Sequence, residues 1–334
     1  MGDKQPPPAS HKFPAHTWQS DDDFNQIPKI LHTRGVTLRQ EQLQPQGWQL
    51  ESAQALDLLQ KLRDIGTPLG EYVQGRFYRG VLTGLNEAFV IDQATHDQLI
   101  QEDPNSADLL KPYLRGRDVK RWSVQPTGEY LIFTRQGTVI EKYPAVKNYL
   151  EQYRERLEPK PKDWDNTKPW PGRKAGPYKW YEIQDKIGYW KAIEQPKIMY
   201  PDIADGSQFA WDDSGVFPVN TIYMLSTDEK WLVSLLNSKV ILKYFQLVCP
   251  QIRGGFLRWF TQYVKEIPIP PATEAQKAEL SDLSQGCAAA TATGDPERLQ
   301  ILEARIDEVV CGVFGLSADE QNAMAQTQTV PKSD

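Results

Sequence analysis

The chain has 334 residues, of which 40% are hydrophobic, 25% charged and 10% aromatic, and its formal net charge is -6. That length allows about two domains at roughly 100–200 residues each, and the apolar share excludes a disordered protein. Mean hydropathy is -0.57, no uncharged apolar run approaches ~18 residues, and the N-terminus has no apolar h-region, so neither a membrane span nor a secretory signal is expected.

Residues 1–26 are rich in proline and polar side chains and read as a flexible lead-in. In residues 51–63, Ala55, Leu58, Leu59 and Leu62 fall on one helical face, and Thr67-Pro68 ends that element. The period then changes. Tyr72-Val73, Val81-Leu82 and Phe89-Val90-Ile91 read as short strands between glycine turns, and Tyr130 to Phe133 as another. Glu141 to Glu158 reads as one helix with Pro144 in its first turn.

Lys197 to Tyr200, Phe209 to Trp211 and Thr221 to Leu225 read as further strands, followed by a helix with Asp228 as its N-cap. After Pro271, Thr273 with Gln276 fits a capping box, Asp295-Pro296 opens a second helix that Gly315 ends, and Ser317 with Glu320 fits another box. Strands at unequal spacings, interrupted by helices, predict an α+β fold: a mixed-sheet domain followed by a C-terminal helical hairpin. The expected division is a partly disordered lead with a connecting helix (1–65), a main domain (66–271), the hairpin (272–325) and a flexible tail (326–334).

Charge is unevenly placed. Residues 111–197 hold 19 Lys+Arg and 11 Asp+Glu, a balance of +8, and the remainder holds 19 and 33, a balance of -14. A basic centre between acidic flanks points towards a polyanionic partner. The three cysteines, Cys249, Cys287 and Cys311, are too scattered for a disulfide framework or a zinc site, and the histidines lack ligand spacing, so no metal is expected. There is no Walker A loop, no G-x-G-x-x-G, no G-x-S-x-G, no Asn-Pro-Pro-Tyr and no glycine-rich loop of the kind that holds S-adenosylmethionine. Pro201-Asp202 followed by Asp228-Glu229-Lys230 mimics the carboxylate spacing of metal-dependent nucleases, but such loose spacing arises often by chance.

Three clusters carry the remaining chemistry. Residues 159–181 hold six basic residues, two acids, five prolines and five aromatics. Basic residues alternating with aromatics suit a phosphate grip plus base contacts: Arg173, Lys174 and Lys179 are expected to reach a groove, Lys168 to join the DNA contacts, and Trp170 or Trp180 to stack or wedge. The bland alternative is a surface loop whose aromatics pack back on the core. Residues 111–122 hold five basic residues around one acid; Arg115, Arg117, Lys120 and Arg121 are the candidates for docking phosphates, and a solvated charged turn is the alternative. In residues 251–259, Arg253 and Arg258 flank paired glycines and suit base edges or phosphate, while the glycines alone also suit a tight turn.

Several blocks in one order resemble a known family. LGEYVQGRFYRGVLTGLNEAFVID (69–92) and LIQEDPNSADLLKPYLRGRDVKRW (99–122) look like the opening of the TaqI-like C-terminal specificity domain, and YPAVKNYLEQYRERLEPK (143–160), PKIMYPDIA (196–204), NTIYMLS (220–226), LLNSKVILKYF (235–245) and EIPIPPATEAQ (266–276) continue the likeness. The resemblance implies the target-recognition part of adenine-N6 DNA methyltransferases and type IIG restriction-modification enzymes. It implies double-stranded DNA as partner, no catalytic residue in this chain, and S-adenosylmethionine bound by a separate methyltransferase domain or subunit. No membrane partner is implied, and the cytoplasm is the expected compartment. A protein-interaction module of a phage-defence complex and a non-functional fragment are the other readings.

Overall fold

A computed structural model describes residues 11–16, 22–40, 53–249, 251–252 and 255–325. Helix α1 (Ala53–Ile65) precedes four short strands, β1 (Phe77–Arg79), β2 (Val90–Ile91), β3 (Leu110–Leu114) and β4 (Tyr130–Ile132), and helix α2 (Pro144–Glu151). A long loop leads to β5 (Lys197–Pro201), β6 (Ile203–Ala204), β7 (Ala210–Asp212), β8 (Phe217–Pro218) and β9 (Ile222–Ser226). Helices α3 (Trp231–Asn237) and α4 (Lys239–Val248), the strands β10 (Gln251–Ile252) and β11 (Phe256–Arg258), and helices α5 (Glu274–Thr293) and α6 (Pro296–Val313) follow.

The strands form two four-stranded sheets, ordered β7-β5-β9-β1 and β8-β3-β4-β2, and a smaller sheet, β6-β11-β10. The first sheet is antiparallel throughout, whereas β8 runs parallel to β3 in the second. The fold is mixed α+β, as the unequal strand spacing predicts.

The first sheet divides two hydrophobic clusters. Ile198, Tyr200 and Leu225 enter the cluster beneath the helices, while Met199, Ile222 and Met224 enter the cluster shared with Phe89, Leu131, Val146 and Phe217. Alternate residues of a strand face opposite sides. A sheet covered on both faces therefore needs apolar residues throughout, and this is why KIMY and IYML do not alternate. Leu58, Leu59 and Leu62 of α1 share the helical cluster with Trp231 and Leu235 of α3, Leu280 of α5, and Ile306 and Val310 of α6. The helical pair thus buries its apolar stripe against α3, in the same core as the central sheet.

Local signals explain most helix ends. Thr273 Oγ1 accepts from Gln276 N at 3.3 Å and Gln276 Oε1 accepts from Thr273 N at 2.9 Å, the reciprocal box expected at the start of α5. Asp295 accepts from Arg298 N at 3.0 Å, and Gly294, in the left-handed region at φ 67°, ends α5. Several expectations differ. Val81-Leu82 forms no strand, Val81 making only a single bridge to Val219, and Phe89 closes the helical turn Asn86–Phe89 ahead of the strand. Leu69–Tyr72 is a helical turn, not a strand, because Leu69 and Val73, four apart, are both buried. The helix expected over 141–158 is broken into 144–151 and 154–157. Asp228 does not cap α3, which begins at Trp231; Thr227 Oγ1 instead accepts from Glu229 N at 3.1 Å.

One charged pair lies wholly inside. Lys197, opposite Asp212 across β5 and β7, is ion-paired with it and donates to Ile193 O at 2.7 Å. Burial lowers the Lys197 ammonium and Asp212 opposes that shift. Lys197→Met strands the carboxylate and is expected to cost about 3–5 kcal/mol in urea unfolding, most of it recovered by adding Asp212→Leu. A Lys197→Met chain as stable as the wild type would contradict this.

Candidate nucleic-acid interface

The tight turn Val219–Ile222, closed by Ile222 N donating to Val219 O at 2.9 Å, gathers three remote segments. From β1, Gly80 N donates to Ile222 O at 2.9 Å and Arg79 Nε donates to Asn220 O at 2.6 Å. A Cβ at Gly80 would sit 2.1 Å from Val219 O, so only glycine permits this approach. From the end of β3, Leu114 O accepts from Val219 N at 2.9 Å, and a Cβ at Gly116 would meet Thr221 Oγ1 at 2.8 Å. From the β5–β6 corner, Asp202 N donates to Thr221 O at 3.0 Å, and Trp259 N, just after β11, donates to Asp202 O at 2.9 Å.

Arg79, Arg117 and Arg258 therefore leave one neighbourhood from three places in the chain. Among the described residues, Arg79 and Arg258 make no ion pair. Arg117, 72% exposed at its side chain, approaches only Asp118, at 3.8 Å. Burial raises the Asp202 carboxyl against the opposing pull of Arg258 and Arg79, which places both guanidinium groups within electrostatic reach of it.

The other candidates fall elsewhere. Arg115 forms a bidentate pair with Glu129, which raises its already high pKa. Arg121 donates to Asn237 O at 2.9 Å and pairs with Glu303 of α6 at 3.0 Å, while Trp122 Nε1 reaches the same carboxylate at 2.7 Å. Trp122 is buried and left-handed at φ 71°, a conformation a bulky residue holds only when its surroundings fix it. Arg121 thus fastens the helical pair to the sheet domain and does not point at a free phosphate. Arg121→Ala should lower stability by about 1–3 kcal/mol and leave the salt dependence of any DNA binding unchanged; a changed salt slope at unchanged stability would overturn that assignment.

The proline-aromatic loop folds on itself. Trp164 and Trp170 pack edge to face at 4.7 Å, Trp164 Nε1 donates to Lys168 O at 3.1 Å and Trp170 Nε1 donates to Glu158 O at 3.2 Å. Arg154 lies 4.2 Å over the Trp180 ring. The expected groove contact of Arg173 is corrected most sharply. Arg173 is 4% exposed and donates to the carbonyls of Leu157, Thr83, Glu182, Lys179 and Trp180. It lies under the Phe89 and Tyr178 rings, and burial pulls its pKa down to about 10. Lys120, Lys168, Lys174 and Lys179 are exposed. Lys179 donates to Tyr181 Oη at 3.0 Å, which raises its pKa. Arg253 lies outside the described residues.

Arg79 is the residue that local reading misses. It sits in GRFYRG, where two arginines flank two adjacent aromatics between glycines, and that pattern is the one signal pointing to it. The nuclease-like spacing does not assemble. Asp202 follows Pro201, which pairs with Ile222, whereas Asp228 follows Ser226, which pairs with Lys197, so the two carboxylates lie at opposite ends of β5 and β9. Among the described residues no cluster of three His, Cys, Asp or Glu side chains could hold a metal ion, and no helix is long and apolar enough to cross a membrane.

The type IIL restriction-modification enzyme MmeI, solved in complex with DNA, shares the fold with a TM-score of 0.52, at 14% identity over 75% of this chain and 36% of that one. Residues 111–269 match the model of the TaqI-like C-terminal specificity domain. Among curated proteins, the type II methyltransferase M.PaeR7I of Pseudomonas aeruginosa is 26% identical over 294 residues, 83% of this chain and 44% of its own length. The type II methyltransferase M.BstVI of Geobacillus stearothermophilus is 23% identical over 285 residues, 82% of this chain and 45% of its own. The chain spans less than half the length of these relatives.

Proposed function

We propose that this chain recognises a specific sequence in double-stranded DNA for an adenine-N6 DNA methyltransferase or a type IIG restriction-modification enzyme, in the cytoplasm, with catalysis supplied by a methyltransferase domain or subunit beyond these residues. The carrying observation is the convergence of Arg79, Arg117 and Arg258 on the Val219–Ile222 turn, with Asp202 nearby but no ion pair made by Arg79 or Arg258 among the described residues. Arginine's planar fork suits phosphate or guanine edges. Lys120, Lys168, Lys174 and Lys179 serve as outer phosphate contacts. Of the acids of the helical pair, Glu303 and Asp307 are engaged by Arg121 and Lys239, and the exposed Glu297 and Glu308 are left for solvent or the methyltransferase domain or subunit.

S-adenosylmethionine does not fit the described residues. A nucleoside crevice of the doubly wound kind opens at the carboxyl edge of a parallel sheet. Here the described strands pair in parallel at β8 and β3 alone, over two residues. The methyl donor belongs to the partner in this reading.

Titrating salt against binding of the full chain to mixed duplexes tests the proposal. Three phosphate contacts alone contribute about -2.7 to the slope of log K against log salt, at about -0.9 each. A slope steeper than about -2 is expected, and a flat one would contradict the reading.

A further inference from the structure

The strand pair β6-β11 has one buried face and one open face. Ile203 is paired with Arg258 and Ala204 with Leu257. Directly opposed residues of an antiparallel pair share a face, and residues two apart in a strand do too. Leu257 and Ala204 are 1% and 3% exposed, so their face is sealed into the core. The opposite face carries Ile203, Phe256 and Arg258. Ile203 is 40% exposed and Phe256 41%. Large apolar side chains are rarely left open in pairs without a use.

The charge around this face selects its occupant. Arg258 belongs to the face itself and lies 5.0 Å over the Phe260 ring. The face begins one residue after Asp202, whose backbone joins the turn that gathers Arg79 and Arg117. An apolar pair flanked by cations matches a nucleic-acid groove, where phosphates rim the apolar faces and methyl groups of bases. A duplex offers those arginines a regular row of phosphates, whereas a protein surface mixes charges of both signs. A two-stranded ribbon also has the dimensions of the B-DNA major groove.

Resting on the DNA-recognition reading above, we propose that this open face enters the duplex groove, with Phe256 as a specificity-determining residue. Phe256 and Ile203 pack on base edges and thymine methyl groups, and Arg258 holds the adjacent phosphate. The role expected of Trp170 or Trp180 is filled by a side chain that the fold leaves open, because those two indoles are engaged by Glu158 O and by Arg154.

The test uses the full chain, fluorescently labelled duplexes selected from a random pool, and the variants Phe256→Ala, Phe256→Leu and the single alanine variants of Arg79, Arg117 and Arg258. Phe256→Ala is expected to weaken binding about tenfold, to leave the salt slope unchanged, and to make one or two positions of the selected sequence degenerate. Phe256→Leu restores most of the affinity. Each arginine variant flattens the slope by about 0.9. Melting temperatures of the Phe256 variants should match the wild type, since the side chain is half exposed. If Phe256→Ala binds and selects as the wild type does while the arginine variants weaken binding, the Phe256 proposal is overturned and the DNA reading stands. If Phe256→Ala instead disrupts association with a methyltransferase chain and spares DNA binding, the face is a protein dock and the proposal is overturned. If the wild-type chain binds no duplex, both fall.

Discussion

Arg173→Met is expected to destabilise the chain by about 3–5 kcal/mol, the largest stability effect of any single substitution among the basic candidates. The guanidinium carries donors to five carbonyls: Leu157 at 2.8 Å, Thr83 at 2.9 Å, Glu182 at 2.7 Å, Lys179 at 3.2 Å and Trp180 at 2.9 Å. Four of these carbonyls belong to loop backbone, of which Thr83 O also accepts from Gln184 N at 3.1 Å, and the fifth, Leu157, ends the helical turn 154–157. A buried carbonyl left without a donor costs about 1–3 kcal/mol, and methionine would orphan several at once. Arg173→Lys should rescue little, because an ammonium has no fork with which to span them. Urea unfolding is the measurement. A variant of wild-type stability that loses DNA binding would return Arg173 to the interface.

Simultaneous replacement of Arg79, Arg117 and Arg258 by alanine is the counterpart with the largest expected effect on binding. The three sit at the surface, so stability should change by less than about 1 kcal/mol. Three lost phosphate contacts flatten the salt slope by about 2.7. At about 1 kcal/mol each they weaken binding roughly a hundredfold. Arg115→Ala serves as the control, because that guanidinium is already paired with Glu129 and gives DNA little. Equal effects from Arg115 and from the triple variant would argue against the turn as the centre of the interface.

Local signals carried local structure. The Thr273 and Gln276 spacing names the start of α5 because a capping box needs only four consecutive residues. The unbroken apolar runs at 197–200 and 221–225 name buried strands, and the unequal spacing of the strands names a mixed fold. The order of several blocks carries the resemblance that the match over residues 111–269 repeats. The interface was less legible because it depends on contacts between segments far apart in sequence. Gly80, Gly116 and Asp202 meet at Asn220 and Thr221 through backbone approaches that no periodicity encodes.

Basic residues show the same limit. Arg117, Arg121 and Arg173 have one chemistry in the sequence. In the structure the first is open, the second binds Glu303 and the third is enclosed. Only the distribution of distant carboxylates and carbonyls separates them. Tyr72-Val73 failed for a nearer reason: flanking glycines suggested strand punctuation, whereas burial of Leu69 and Val73 together closes a helical turn.

Selection by the full chain from a pool of random duplexes at about 0.1 M salt, followed by sequencing of the bound fraction, tests the central claim most directly. Enrichment of one short motif, lost in the triple arginine variant and retained in Arg121→Ala, is the predicted result. Binding without enrichment, or a motif that survives loss of Arg79, Arg117 and Arg258, would contradict the account.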